Sequence, residues 1–295
     1  MKTFFNEKNR WYLYSLSPLI LFLLIFTLIP LINIFYMSFF NIAWEGTQYQ
    51  YEFIGLKNYL ELPDNKFYFD GLKNTFLFAL IGVPIQMVLG FLMALFVTKI
   101  KRGKAFFISI FLIPVLLPPI VIGSVWRLLY GYDFGIINYL LSFLNVMPLD
   151  WLGSPNLAFS SIIIVDVWHW TPFVFLLLLA GLESIPQDVF EAGKVDGVSA
   201  WQELWHITLP LMIPTILVTM IFRMITAFKV FDEIYLLTSG GPGTSTEVIS
   251  FSIYETFFEA DKMGLGSVMS VVSLLVVTLL TILAMAALRN RRPND

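Results

Sequence analysis

The chain has 295 residues, 58% of them hydrophobic and only 13% charged, with a formal net charge of −3 and a mean hydropathy of +0.78. A soluble domain is nearer half apolar and a quarter charged, so the bilayer is the natural solvent here, and no overall basic field suggests nucleic acid. The absence of cysteine excludes disulfides, thiol catalysis and cysteine metal sites, and two histidines, His169 and His206, are too few for a histidine-rich metal centre.

Crossing a bilayer as a helix takes roughly 20 apolar residues. Six windows qualify in chain order: about 15–40, 74–98, 105–129, 158–182, 207–230 and 265–288. Such long continuous runs read as helices, because barrel strands alternate. The first is too long for a signal peptide, and no small-residue cleavage pattern follows it before Trp44. The expected fold class is therefore an all-α integral membrane protein, a single domain over 1–295 with six transmembrane helices.

Lys and Arg near the span ends set the orientation. Lys2, Lys8 and Arg10 precede the first window, Lys99, Lys101, Arg102 and Lys104 follow the second, and Arg289, Arg291 and Arg292 follow the last. The loop at 130–157 carries no Lys or Arg, only Asp133 and Asp150. Lys57, Lys66 and Lys73 in the 41–73 loop are accompanied by acidic residues and leave the alternation intact. Both termini are expected in the cytoplasm, together with the loop after the fourth span.

That loop, 184–206, is unusually polar and ordered for a connection between two spans. Pro186 suits a first helical turn, and "QDVFEAGKV" runs on as a helix with Asp188 and Glu191 near its positive end. Gly197 is able to take the left-handed conformation that closes helices. Ser199 with Gln202 forms a capping box that starts a second short helix at "AWQELWHI", and Pro210 and Pro214 follow in span five. An amphipathic connector lying on the lipid surface is one reading. Surface-lying helices usually carry a basic face, however, and this one is mainly acidic, which suits a docking element for another protein.

Ionisable groups at membrane depth are functional candidates. "VDVWHWTPF" places Asp166, Trp168, His169 and Trp170 within two turns of span four, and Arg223, Thr226 and Lys229 follow at spacings of three in span five. Aromatic faces beside charged groups suit a sugar. The same residues also fit plainer roles: Trp168 and Trp170 as interface aromatics, Arg223 as a structural partner of Asp166, and His169 as a packing residue. On the outer side, the aromatic 41–73 loop and the "TSGGPGTST" turn at 238–246 read either as connections or as surfaces for a soluble partner.

The stretch "EAGKVDGVSAWQELWHITLPLMIP" resembles the cytoplasmic loop of membrane subunits of binding-protein-dependent ABC importers, whose pattern is Glu-Ala-Ala, Asp-Gly and Ile-x-Leu-Pro. Glu191, Ala192, Asp196, Gly197, Ile207, Leu209 and Pro210 fit, and Gly193 stands where the family usually has its second alanine. "FIGLKNYLELPD", "NTFLFALIGVPIQMVLGFLMAL" and "FDEIYLLTSGGPGTSTEVISFSIYETFF" resemble the carbohydrate-uptake branch, the maltose- and glycerol-phosphate-permease-like proteins.

The resemblance implies a type I importer permease fold in a bacterial or archaeal inner membrane. It implies a coupling element at 188–200, with Asp188, Glu191, Ala192, Asp196 and Gly197, that together with Leu209 and Pro210 docks on a cytoplasmic ATPase, either a homodimer or a heterodimer. A second permease subunit and an extracytoplasmic substrate-binding protein complete the implied assembly. A substrate path by Val115, Pro119, Trp168, His169, Trp170, Arg223, Ala227 and Val230 is implied as well, with Asp166 beside it. Several of these residues are apolar, unlike a maltose-type site. Arg223 also suits an acidic sugar or a phosphate ester. The chain has no phosphate-loop motif, since "RGKA" at 102–105 lacks the leading glycine and the hydroxyl. It is accordingly expected to be no enzyme and to bind no metal or cofactor, with ATP and magnesium held by the partner ATPase. The alternative from another class is an ion-coupled secondary transporter built on Asp166. An intramembrane enzyme would need motifs that are absent.

Overall fold

The computed structural model describes residues 7–289. Lys2, Arg291 and Arg292, which carry part of the orientation argument, lie outside the described residues. Helix α1 (Glu7–Leu23) passes through a π-helical turn (Leu24–Leu28) into α2 (Ile29–Met37). A hairpin, β1 (Phe40–Glu45) and β2 (Gln48–Phe53), precedes α3 (Lys57–Glu61) and α4 (Lys66–Thr98). Then come α5 (Lys104–Leu116), α6 (Pro119–Leu129), α7 (Ile136–Ser142), α8 (Pro155–Glu183) and α9 (Gln187–Val195). The short α10 (Ala200–Gln202) continues as a π turn (Glu203–Thr208) into α11 (Leu209–Ala227). The chain ends with α12 (Asp232–Leu237), α13 (Ile249–Tyr254) and α14 (Met263–Arg289).

Two of the π turns have a local cause. A proline ring clashes with the carbonyl four residues back, which for Pro30 is Phe26 and for Pro210 is His206. Both carbonyls fall inside π turns, where the wider helix relieves the clash.

The helices long and apolar enough to cross a membrane are Tyr14–Met37, Lys66–Thr98, Pro155–Glu183, Ala200–Ala227 and Met263–Ala286. The window at 105–129 is built from two helices, α5 and α6, that meet at 90° and together form the sixth candidate span. The cause is Pro118-Pro119. Leu117, the residue before Pro118, is extended (φ −80°, ψ 136°), as is Pro118 itself (φ −61°, ψ 139°), so α5 stops and Pro119 opens α6.

The chain divides into two compact units. The first comprises the segments up to Asn65 and Ile253–Leu275. Its N-terminal span buries none of its most apolar window, as a lipid-facing helix requires. The 41–73 segment is not the plain connection that sequence allowed. Its first part pairs from Phe40↔Phe53 to Glu45↔Gln48, closed by Gly46 at φ +67°. A glycine with positive φ at the first of two turn residues matches the twist of a hairpin. Asn58 pins the hairpin base by donating from Nδ2 to the carbonyls of Ser38 (3.3 Å) and Phe40 (3.1 Å). Tyr49 on β2 donates its hydroxyl to Asp261 Oδ1 at 3.2 Å.

The second unit comprises Lys66–Ser252 and the chain from Val276 onward. Its core is the packing of α4 on α8, where Ala94, Val97, Val174, Phe175 and Leu178 are buried together with Met212 of α11. Gly90 permits the close approach, because a Cβ there would lie 2.8 Å from Val174 Cγ1 and 2.9 Å from the Phe175 nitrogen. Helix α11 lies against α8 near their loop ends, with Gly181 facing Thr215 and Met212. The "TSGGPGTST" corner, with a cis Gly241–Pro242 bond, is tied to α4. Asn74 Nδ2 donates to the Thr244 carbonyl at 2.9 Å, Thr244 donates to Asp70 at 3.0 Å, and the Ile249 N–H donates to Thr75 Oγ1 at 2.9 Å.

Candidate functional site

Two polar assemblies in the second unit carry the functional argument, one exposed and one buried. The exposed one is the elbow between α8 and α11. Gln187 opens α9 with Pro186 as the preceding cap residue, and Asp188 sits in the first turn. The helix ends in a complete Schellman motif: Gly197 N–H bonds the Lys194 carbonyl at 3.1 Å, and Val198 N–H bonds the Gly193 carbonyl at 2.9 Å. Gly197 takes φ +73° to make it. The expected capping box then starts α10, with Ser199 N–H donating to Gln202 Oε1 at 2.9 Å and Gln202 N–H donating to Ser199 Oγ at 3.4 Å.

Gly193, the departure from the family pattern, is buried, and an added Cβ would stand 3.0 Å from Ile207 Cδ1. The small residue therefore lets α9 fold back on the π turn. Asp188, Glu191, Ala192, Asp196 and Gly197 are all exposed, as is Pro210, while Leu209 is half-buried. Around them Val195 exposes 88% of its surface, Trp201 68% and Trp205 52%, the two rings packed edge to face at 5.6 Å. The elbow is a rigid element with acidic and aromatic faces unoccupied by the rest of the chain.

The buried assembly joins four helices. Arg223 on α11 donates from Nε to Gln86 Oε1 (2.8 Å), from Nη2 to Asp166 Oδ2 (3.4 Å) and from Nη1 to Thr226 Oγ1 (2.7 Å). Gln86 on α4 donates from Nε2 to Asp166 Oδ2 at 2.6 Å and to the Asp166 carbonyl at 3.3 Å. The guanidinium lies over the Trp170 ring, 4.7 Å from its centroid. One turn along α8 from Asp166, His169 Nδ1 stands 3.1 Å from Glu233 Oε1 on α12. Gln86, Asp166, His169, Arg223 and Glu233 are all at most 4% exposed, and none of their fully buried side-chain polar atoms lacks a partner. Removing charge from water is costly unless every group is paired, and here each one is.

The predicted pathway residues are thus divided. Asp166, His169, Trp170 and Arg223 meet in this network, whereas Trp168 points elsewhere. It lies edge to face with Trp126 at 5.6 Å, beside an apolar cavity of about 580 Å³ that Pro114, Phe111 and Thr171 also line. Val115 and Pro119 flank the α5–α6 break, Ala227 and Val230 are buried, and Lys229 is exposed. Two members of the network escaped the sequence reading. Gln86 is the one amide beyond Asn74, the first residue of the window at 74–98, and a polar residue in the middle of an apolar run could have been flagged on cost alone. Glu233 lies just past the fifth window, and only the chain reversal before α12 brings it to His169.

Together these features define a multi-span helical membrane protein with an exposed polar elbow between two core spans. The family model for the binding-protein-dependent transport system inner membrane component matches residues 86–292, and the chain belongs to that family. It is 37% identical, over 98% of its length and 96% of the relative's, to the trehalose/maltose transport system permease protein MalF of Thermococcus litoralis. It is 31% identical to a probable starch degradation products transport system permease protein of Thermoanaerobacterium thermosulfurigenes, over 96% of this chain and 95% of that one. A chain in the crystal structure of a bacterial ABC transporter that imports the acidic polysaccharide alginate superposes with a TM-score of 0.83. It covers 97% of this chain and 98% of its own at 23% identity, and so shares the type I importer permease fold. The protein is an inner-membrane permease component, and the ion-coupled alternative finds no support.

Proposed function

We propose that this chain forms part of the translocation pathway of an ATP-driven importer for a sugar, oligosaccharide or sugar derivative. The observation that carries the reading is the Schellman-closed, box-capped elbow at α9–α10, inserted between two packed core spans and exposed on its acidic face. In this reading α9, with Asp188, Glu191, Ala192, Asp196 and Gly197, seats in a cytoplasmic ATPase dimer, and Leu209 and Pro210 carry its motion into α11. ATP and magnesium belong to that ATPase, and this chain hydrolyses nothing. A second permease subunit supplies the other wall of the path, and an extracytoplasmic binding protein delivers substrate from outside. Both termini face the cytoplasm, following the Lys and Arg distribution.

The substrate class rests on relatives whose names specify trehalose and maltose or starch degradation products. Val115, Pro119, Trp168 and Trp170 line the path, the buried Ala227 and Val230 stand behind it, and the Asp166–Arg223–Gln86 network with His169 holds its frame. ATP-driven closure biases the frame between outward and inward states.

The test is to extract the tagged protein gently from its native membrane and identify what co-purifies. An ATPase and a second permease are expected, and both should be lost when Glu191→Ala and Gly197→Val are combined. Recovery of the chain alone would overturn the docking role.

A further inference from the structure

One groove in the second unit lies apart from the buried network and shares only Glu191 with the docking residues of the elbow. It encloses about 690 Å³ between the α4–α5 loop, the end of α8 and α9. Lys99, Lys101 and Lys104 from the loop and Lys194 from α9 line it, over an apolar wall that includes Leu95 and Leu182. Lys104 is ion-paired to Glu183. Among the described residues Lys99, Lys101 and Lys194 form no ion pair. The remaining carboxylates of the lining, Glu191 and Glu203, belong to α9 and the π turn, so the loop side is the basic side.

The level of this groove matters. Helix α4 ends at Thr98, so Lys99 and Lys101 emerge where an apolar span meets the headgroup layer. One to two turns below, Phe96 and Leu92 expose 51% and 55% of their surfaces, an apolar track leading away from the lysines. Lysines above an open apolar track match the two halves of a phospholipid, and basic pockets at span ends hold anionic headgroups.

We propose that the groove binds an anionic phospholipid, its phosphate against Lys99, Lys101 and Lys194 and an acyl chain along Leu92 and Phe96. A lipid seated there bridges the α4–α5 loop to α9, so membrane composition tunes the coupling element. The regulatory part rests on the docking role given to α9; the binding part does not.

The experiment uses the full chain with its co-purifying partners, in nanodiscs of phosphatidylcholine with or without phosphatidylglycerol. Lipid retained after detergent extraction is measured by mass spectrometry for wild type and for Lys99→Gln, Lys101→Gln and Lys194→Gln, singly and combined. Preference for phosphatidylglycerol should fall by about fivefold per lysine removed, and the matching Lys→Arg variants should keep it. Equal preference in wild type and the triple variant would overturn the site. Displacement of the lipid by millimolar glycerol phosphate would assign the lysines to free phosphate and overturn the lipid. Substrate-stimulated ATPase should rise with phosphatidylglycerol in wild type only. A preference that depends on the lysines, in a complex whose ATPase never responds to substrate, would keep the site and sink the docking role of α9.

Discussion

The elbow at 187–208 and the network around Arg223 are both dense in polar residues, yet they are built in opposite ways. In the network the charged groups pair with one another: Arg223 alone binds Gln86, Asp166 and Thr226 and stacks on Trp170. In the elbow the internal bonds include the Schellman turn at Gly197, the box at Ser199 and the His206 contact with the Gln202 carbonyl, while Asp188, Glu191 and Asp196 face outward. Closed polarity holds spans together in a medium without water. Open polarity on a stiff frame leaves free energy to be gained by another protein. Residue type alone does not tell these uses apart; the fate of the hydrogen bonds does.

The sharpest way to break this contrast is to open the closed cluster. Arg223→Ala strands Asp166 and Gln86 in a dry site and should destabilise the protein by about 3–5 kcal/mol, because a buried charge loses its partner. Neutralising both ends, Asp166→Asn with Arg223→Met, should recover most of that loss. Thermal unfolding of the detergent-solubilised variants measures both; a mild effect of the single change would mean that water reaches the cluster.

The elbow should respond in function more than in stability. Gly197→Val has open space around its Cβ but must hold φ +73°, at a cost of about 1–2 kcal/mol for a side-chain-bearing residue. Insertion and expression should be near normal, and substrate-stimulated ATPase of the assembled complex should fall at least about tenfold, the equivalent of 1.4 kcal/mol. Gly197→Asn, which tolerates the left-handed region, should fall less. Normal stimulation in the valine variant would remove Gly197 from coupling.

Smaller effects should come from the supports. Gly193→Ala pushes a Cβ to within 3.0 Å of Ile207 Cδ1, and about 1 kcal/mol is expected, relieved by a second change, Ile207→Val. Asn58→Ala removes two hydrogen bonds that pin the hairpin base, so limited proteolysis at Phe40–Phe53 should quicken, with about 1 kcal/mol lost.

What was legible in the sequence was whatever local chemistry decides. Ser199 and Gln202 announced their box three residues apart, Gly197 announced a left-handed turn, and continuous apolar runs announced the long helices. Asp166 and Arg223 could be suspected as partners because a membrane leaves unpaired charges few options. The rest depended on distant parts of the chain. Gln86 and Arg223 are 137 positions apart, and nothing near either shows that the amide will bridge the ion pair. The hairpin was hidden for another reason. All six residues of β2 are exposed, so "QYQYEF" has no buried face to impose an alternating pattern. The right-angle break at Pro118-Pro119 was written in the sequence, but a hydropathy window averages across it.

The Asp166–Arg223 contact also has a mechanical meaning for the elbow. Helices α8 and α11 leave the two ends of that loop, touch at Gly181 and Thr215 close to it, and are joined again by the ion pair about 22 Å farther along α8 and about 12 Å farther along α11. The arrangement is a handle bolted at both ends of its shaft. A push on α9 cannot slide one span past the other; it must swing the pair as a single lever, and Gln86 pulls α4 along with it.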